Sequence, residues 1–141
     1  MMKRRQETFD MEIDDNIILK DITTQFILVF NSKFGGGRMI LNPLAMINDG
    51  YFEFYYFKTL MGFSECIKLF DGAKAGGTQV YNADAAIYRC KKLKLINKKT
   101  NQQDVAIDGE DLVFDKFVIY EQLKQELEII VDFQYMMEKS Y

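Results

Sequence analysis

The stretch that decides the fold reads GGGRMILNPLAMINDGYFE and covers residues 35–53. Three consecutive glycines, Gly35 to Gly37, allow a backbone path that other residues cannot follow. The only proline of the chain, Pro43, comes six residues after the last of them. Asp49-Gly50 is a turn signal, and the aromatic residues behind it predict a strand over 51–58. The stretch therefore predicts a long structured loop that leads into β structure.

Outward from this loop, most of the chain shows strand patterns. Strands are predicted over 8–14, 17–19, 23–31, 51–58, 85–96, 105–107, 114–120 and 127–133, with 23–31 buried on both sides. Leu60, Phe63, Ile67 and Phe70 follow helical spacing, and Gly72 is expected to end that helix as a C-cap. A short terminal helix is expected over 134–141.

The links between the predicted strands are too short for repeated βαβ crossovers. We therefore expect a mainly β fold, an antiparallel β-sandwich that is partial and carries one inserted helix. Residues 1–22 form an N-terminal strand and hairpin segment, 23–133 the sandwich domain and 134–141 a C-terminal tail in this interpretation.

Composition excludes several classes of function. The 141 residues, 48% of them hydrophobic, are enough for one domain with a core. A net charge of −3 argues against a nucleic-acid surface. The absence of histidine removes a histidine base and most catalytic zinc sites. The two cysteines, Cys66 and Cys90, have no metal-binding spacing and are expected to be buried free thiols.

The location of the protein is expected to be intracellular, either cytoplasmic or peripheral on an organelle membrane. Low cysteine use and the lack of a signal sequence favour a reducing compartment. No apolar run approaches the ~20 residues needed to cross a bilayer. The lysines of the 91–99 stretch could meet anionic lipid headgroups, but a solvated strand face is the preferred interpretation.

The Asp49-Gly50 turn allows two interpretations. It could be a simple hairpin corner, because Asp-Gly is a common turn pair. Alternatively, the carboxylate and exposed carbonyls of the proline-bearing loop could surround a hard cation, since Mg²⁺ and Ca²⁺ prefer oxygen ligands. Such an ion would pin the loop to the strand.

A second acidic turn, Asp108-Gly109-Glu110, follows the predicted strand 105–107. It could be a tight turn with both acids in solvent. In the functional interpretation, a phosphate or Mg²⁺ approaches the backbone at Gly109. Because the chain has no histidine, a carboxylate is the natural group to accept a proton from an alcohol, and Glu110 is the candidate.

The order of these motifs resembles the C-terminal half of the lipid kinase superfamily that includes sphingosine, ceramide and diacylglycerol kinases. The matching residues are Gly35-Gly36-Gly37, Asn42-Pro43-Leu44-Ala45, Asn48-Asp49-Gly50 and Ile107-Asp108-Gly109-Glu110. The resemblance covers roughly 23–133 and is closest to sphingosine-kinase-like members. It implies a β-sandwich domain that closes over a nucleotide-binding cleft.

The resemblance also implies roles for individual residues. Glu110 matches the acidic residue assigned as proton acceptor for the lipid hydroxyl, and Asp108 and Gly109 would lie near the ATP phosphates. A structural Mg²⁺ would be held by the Asp49 carboxylate and by the carbonyls of Met46 and Tyr51. A further Mg²⁺ would accompany ATP.

The sequence departs from the family at the nucleotide site, because no Gly-Gly-Asp-Gly-Thr loop occurs in it. Phosphoryl transfer depends on preorganised donors that cradle phosphates and metal. We therefore expect the chain to be inactive by itself and to need another protein chain that completes the sandwich: an N-terminal kinase half, a homodimer or a large complex. The alternative is a non-catalytic scaffold or interaction subunit derived from a lipid kinase domain.

Overall fold

The computed structural model describes residues 6–37 and 39–123. Within these ranges the chain forms strands β1 Glu7–Ile13, β2 Ile17–Thr24, β3 Ile27–Phe30, β4 Phe34–Gly35, β5 Met39–Ile40, β6 Phe52–Phe57, β7 Ala85–Cys90, β8 Lys92–Asn97, β9 Gln103–Ile107, β10 Glu110–Phe114 and β11 Phe117–Glu121. Its helices there are α1, Phe63–Lys74, and a 3₁₀ helix, Thr78–Tyr81. The prediction of a mainly β fold with one α-helix is confirmed.

All strand pairs are antiparallel. One sheet has four strands in the order β11-β8-β1-β2, and a second has three in the order β3-β6-β7. Two short hairpins, β9–β10 and β4–β5, stand beside them. The boundary predicted between residues 22 and 23 falls inside β2, whose partner β1 also pairs with β8.

Strand β6 is the centre of the molecule, because all six of its residues are buried. One face, with Phe52, Phe54 and Tyr56, packs in a core shared with β1, β7 and β8. The opposite face, with Tyr55 and Phe57, packs under α1 and the 3₁₀ helix. The described residues therefore form three layers: the four-stranded sheet, the three-stranded sheet and the helices.

The helix prediction is correct in type but wrong at its end. Gly72 lies inside α1, which continues to Lys74. A Cβ at Gly72 would lie 2.9 Å from the backbone nitrogen of Gln79 and 3.1 Å from Thr78 Oγ1. Gly72 is therefore required by the close approach of the 3₁₀ helix, and it does not act as a C-cap.

The strand predicted over 85–96 is two strands in different sheets. The chain bends at Lys91, where the Asp14 carboxylate accepts hydrogen bonds from the backbone nitrogens of Lys91 and Lys92, at 2.8 and 2.9 Å. This bend carries the chain from the three-stranded sheet to the four-stranded one. The buried side chains change phase at this bend, from Ala86 and Cys90 to Leu93 and Leu95, which the prediction of one continuous strand overlooked.

Two other strand predictions also need correction. Residues 23–31 are divided between β2 and β3, and β3 is a half-buried edge strand instead of one buried on both sides. Residues 114–120 are divided at Asp115 and Lys116, whose carbonyls accept hydrogen bonds from Asn97. The predicted strand 127–133 and helix 134–141 lie outside the described residues. No helix among the described residues is long and apolar enough to span a membrane.

The two thiols differ in environment. Cys90 is buried in the core between the two large sheets, whereas Cys66 is only half-buried. Burial raises the pKa of the Cys90 thiol from 9.0 to about 12, and the negative charge of Asp14 adds to this effect. The expectation of a buried thiol is thus met at Cys90 and only partly at Cys66.

We predict that stability falls between pH 9 and pH 12 and that Cys90 contributes to the fall. Unfolded chains ionise this thiol near pH 9.0, and the folded protein does so only near pH 12, so its contribution is complete below the lower value and lost as pH rises. Cys90→Val removes the ionisation while keeping an apolar side chain. Urea unfolding across this pH range should show a loss that is smaller in the variant by on the order of 4 kcal/mol. An identical pH profile would contradict the assignment.

Candidate functional site

An apolar pocket lies between α1 and the three-stranded sheet, with a volume of about 310 Å³. Its walls come from β3, β5, β6, α1 and the 3₁₀ helix. The lining residues are Phe26, Leu28, Met39, Leu41, Tyr55, Cys66, Leu69, Phe70, Ala73 and Gln79. The volume is near the lower end of the range of small-molecule sites, about 300–1,000 Å³.

The pocket exists because the helix covers the aromatic face of the sheet incompletely. Ala73 is a small residue on the inner side of α1, so the helix does not fill the space above Tyr55. Phe70 lines the same space while remaining 57% exposed. Phe63 and Ile67, on the adjoining surface of α1, are also exposed. Helical spacing places these three side chains along one stripe of α1, so exposed apolar surface adjoins the pocket.

Two polar side chains, Tyr55 and Gln79, are buried in the wall of the pocket. The Tyr55 hydroxyl donates to the Leu41 carbonyl at 3.2 Å. The Gln79 amide nitrogen donates to the carbonyls of Ile40 and Leu41 at 3.0 and 2.8 Å. Gln79 is 6% exposed, and its buried Oε1 has no hydrogen-bond partner within the described ranges. Burial raises the pKa of the Tyr55 phenol, against which the hydrogen bond to Gln79 acts.

Gln79 Oε1 is itself buried, so the pocket presents an almost wholly apolar surface. The pocket therefore suits an apolar chain, whose polar group would lie at or beyond the mouth.

The second acidic turn is the corner of the β9–β10 hairpin. Ile107 pairs with Glu110, so Asp108 and Gly109 form a two-residue loop. Both have positive φ, 50° and 89°, which is the geometry of a type I′ turn. Asp108, Gly109 and Glu110 are exposed. The turn projects both carboxylates into solvent, as the simple-turn interpretation expects. A role of Asp108, Gly109 and Glu110 in phosphate chemistry stays a prediction.

Asp108 also lies at the end of a larger cleft of about 840 Å³. Strand β3 and its flanking residues, 24–31, line one side of this cleft, and residues 103–108 line the other. Residues of β1 and the end of β11 complete it. One carboxylate of the hairpin turn therefore borders a groove large enough for a ligand.

The first acidic turn is held by side chains on two strands. Asp49 Oδ1 accepts a hydrogen bond from the Tyr51 backbone nitrogen at 2.9 Å, and Asp49 Oδ2 lies 2.6 Å from Arg89 Nη2. Glu53, 2% exposed, lies 3.6 Å from Arg89 Nε and accepts from Asn42 at 3.3 Å. Burial first, and then the charge of Asp49, raise the pKa of Glu53.

The fit of a structural Mg²⁺ can be judged from these contacts. The predicted ligands Met46, Asp49 and Tyr51 belong to one loop before β6, but both carboxylate oxygens of Asp49 already have partners, and one partner is a cation. A divalent ion on Asp49 would be repelled by Arg89. Mg²⁺ at this turn stays a prediction, and the present arrangement of Asp49 does not favour it. Among the described residues, no three carboxylate or thiol side chains cluster to hold a metal.

Sequence reasoning named both acidic turns but missed the pocket and Arg89. Gln79 follows a glycine pair in a polar loop, so nothing in its neighbourhood marks it as buried. Arg89 lies opposite Glu53 on the neighbouring strand, and this pairing depends on a strand register that the sequence does not reveal. The two turns belong to different sheets: Asp49 precedes β6, and Asp108 lies in the β9–β10 hairpin.

Comparison with known proteins gives a likeness of fold. No family model and no curated protein matches the sequence. Three solved structures of Bacillus anthracis str. Sterne proteins, named as diacylglycerol kinases, match the fold. The first has a TM-score of 0.62 and 14% identity, and the match covers 86% of this chain and 38% of that one. The others have TM-scores of 0.56, with 12% and 14% identity, and the matches cover 85% and 86% of this chain and 42% and 39% of theirs.

The chain thus shares its fold with part of these proteins and spans about two-fifths of their length. At this identity the likeness concerns the fold alone. It agrees with the lipid kinase resemblance of the motifs in the broad sense that both lead to diacylglycerol-kinase-like proteins.

We predict that Gln79→Met destabilises the protein by about 1–3 kcal/mol, because the Ile40 carbonyl loses its side-chain donor and the Leu41 carbonyl keeps only the one from Tyr55. Urea unfolding measures this change. Gln102→Met, at an exposed position, is the matched control and should stay within about 0.5 kcal/mol of the parent. Equal stability of the two variants would show that Gln79 does not hold the pocket wall.

Proposed function

We propose that this chain forms the lipid-binding part of a lipid kinase, an enzyme that transfers the γ-phosphate of ATP to the alcohol of a sphingoid base or a diacylglycerol. The observation that carries the proposal is the apolar pocket over Tyr55. The fold likeness to proteins named as diacylglycerol kinases supports it. A lipid would bury its chain against α1 and β6 and leave its polar group outside the pocket.

In this proposal, residues outside these 141 bind ATP and its Mg²⁺, because the sequence contains no Gly-Gly-Asp-Gly-Thr loop. The nucleotide domain is supplied by a partner. Asp108 and Gly109 lie near the phosphates, where the exposed glycine backbone of the turn allows close approach. Glu110 accepts the proton of the lipid hydroxyl as the hydroxyl oxygen attacks the γ-phosphorus, and the bond to the β,γ-bridging oxygen breaks to release ADP. The chain without its partner does not turn over substrate.

A non-catalytic role as a scaffold or complex subunit is the second candidate. It is favoured by the exposed apolar side chains of the outer strands: Leu112 is 48%, Val113 59% and Phe117 52% exposed. A partner chain would cover such side chains. Purification of the native protein tests this role: co-purification of a protein that carries the glycine-rich nucleotide loop favours the kinase, and its absence from a stable complex favours the scaffold.

Binding of a lipid in the pocket is predicted to protect Cys66 from alkylation. Cys66 lines the pocket, whereas Cys90, in the sheet core, serves as an internal control. With sphingosine or a diacylglycerol in mixed micelles at ten times its Kd, the rate of maleimide labelling at Cys66 should fall about tenfold. Mass spectrometry of the labelled peptides measures both cysteines.

A pair of variants makes this experiment specific. Ala73→Leu fills the pocket and should abolish protection, while Ala75→Leu, at an exposed position just after α1, should leave it intact. An unchanged labelling rate with both lipids, or equal protection in the two variants, would refute binding at this place.

The role of Glu110 is predicted to appear only in the complex with the nucleotide domain. Glu110→Gln should lower kcat for lipid phosphorylation by about 10²–10⁴-fold, the usual contribution of a positioned acid or base. Asp111→Asn, the neighbouring exposed acid on β10, is the matched control and should retain activity. Turnover by Glu110→Gln at the parent rate would exclude proton acceptance by this residue.

A further inference from the structure

The loop from Asn42 to Gly50 is attached to the three-stranded sheet at both of its ends. At its start, Asn42 is fully buried, donates to Glu53 Oε2 at 3.3 Å and accepts from the Leu44 backbone nitrogen at 3.1 Å. At its end, Asp49 contacts Arg89 at 2.6 Å. Glu53 and Arg89 are directly opposed residues of β6 and β7. One cross-strand pair therefore receives both ends of the loop.

Arg89 is the positive centre of this arrangement. Its guanidinium reaches Asp49 through Nη2 and lies 3.6 Å from Glu53 through Nε, so it bridges two carboxylates with two different nitrogens. Its plane is also covered by the Tyr51 ring, with Cζ 4.5 Å from the ring centroid. A planar group with several fixed donors suits two carboxylates and an aromatic face better than a point charge does.

We infer that the Arg89 guanidinium takes the structural place of a divalent cation in this protein. The resemblance of the sequence assigns Mg²⁺ to Asp49, yet both Asp49 oxygens are engaged, one by the Tyr51 amide and the other by Arg89. Mg²⁺ would need its oxygen ligands at about 2.0–2.1 Å in an octahedron. The guanidinium supplies positive charge at Asp49 without that requirement, so the loop is pinned independently of metal.

The experiment measures thermal unfolding of the full chain in EDTA and in millimolar MgCl₂ or CaCl₂. The Tm of the parent is expected to be the same in all three solutions. Arg89→Met keeps an unbranched apolar stem but leaves Asp49 and Glu53 without their cation. Its Tm should fall by several degrees in EDTA and should be partly restored by the divalent salts.

Three further variants separate this explanation from a general loss of charge. Lys91→Met removes a positive charge over the same Tyr51 ring, 4.8 Å from its centroid, and should show neither the fall nor a metal response. Arg89→Lys keeps the charge and tests whether the protein needs the planar group, with a Tm between parent and Arg89→Met. Asp49→Asn in the Arg89→Met background should abolish restoration by metal.

Each result decides the inference. A parent whose Tm falls in EDTA or rises with Mg²⁺ already uses a metal, and the inference is wrong. If Arg89→Met is as stable as Lys91→Met, Arg89 does not pin the loop. If Arg89→Met is destabilised but no divalent salt restores it, the place cannot take a metal ion and the equivalence fails. If Arg89→Met does not fold, the metal response of the parent and of Arg89→Lys still decides. The readout is Tm, so it is independent of any kinase activity.

Discussion

The burial of β6 on both faces is the constraint on which the rest of the structure depends. A strand whose six residues are all buried must be covered by two layers, because a sheet alone covers neither of its faces. The four-stranded sheet covers the side of Phe54, and α1 with the 3₁₀ helix covers the side of Tyr55. The single α-helix of the described chain is therefore required by the aromatic sequence of one strand.

The two faces of β6 are not covered equally, and the candidate site lies on the face that is covered less, the face of Tyr55. Phe54 is closed in by neighbours such as Tyr88, whose ring is 5.2 Å from its own and nearly parallel to it. Tyr55 meets a helix that offers Ala73 and the edge of Phe70, so free apolar space remains. The pocket is a gap between the second and third layers of the fold, and one of its walls is β6, whose opposite face is buried against the four-stranded sheet.

The sequence predicted what depends on local pattern and missed what depends on register. The alternation of aromatic residues predicted β6, and the Asp-Gly pair predicted the hairpin turn at Asp108. The boundary at Lys91 has one local signal, the change of phase of the apolar residues between Cys90 and Leu93. The group that holds the bend, Asp14, is 77 residues earlier in the chain and has no such signal. The role of Gly72 was wrongly predicted, because a glycine is needed there for the close contact with Gln79 and not for the end of a helix. Arg89 and Gln79 were missed for the same reason: their partners are distant in sequence.

The loop 42–50, which Arg89 and Glu53 hold to the sheet, is linked to the pocket through two consecutive residues, Leu41 and Asn42. The Leu41 carbonyl accepts hydrogen bonds from Tyr55 and Gln79 at the pocket wall, and Asn42, the next residue, is bonded to Glu53 beside Arg89. A displacement of Asn42 must therefore move the acceptor that orients both polar groups of the pocket. This connection explains why a proline-bearing loop with a buried asparagine lies beside an apolar cavity: the cation contact at Asp49 and Glu53 fixes the wall against which a ligand would pack.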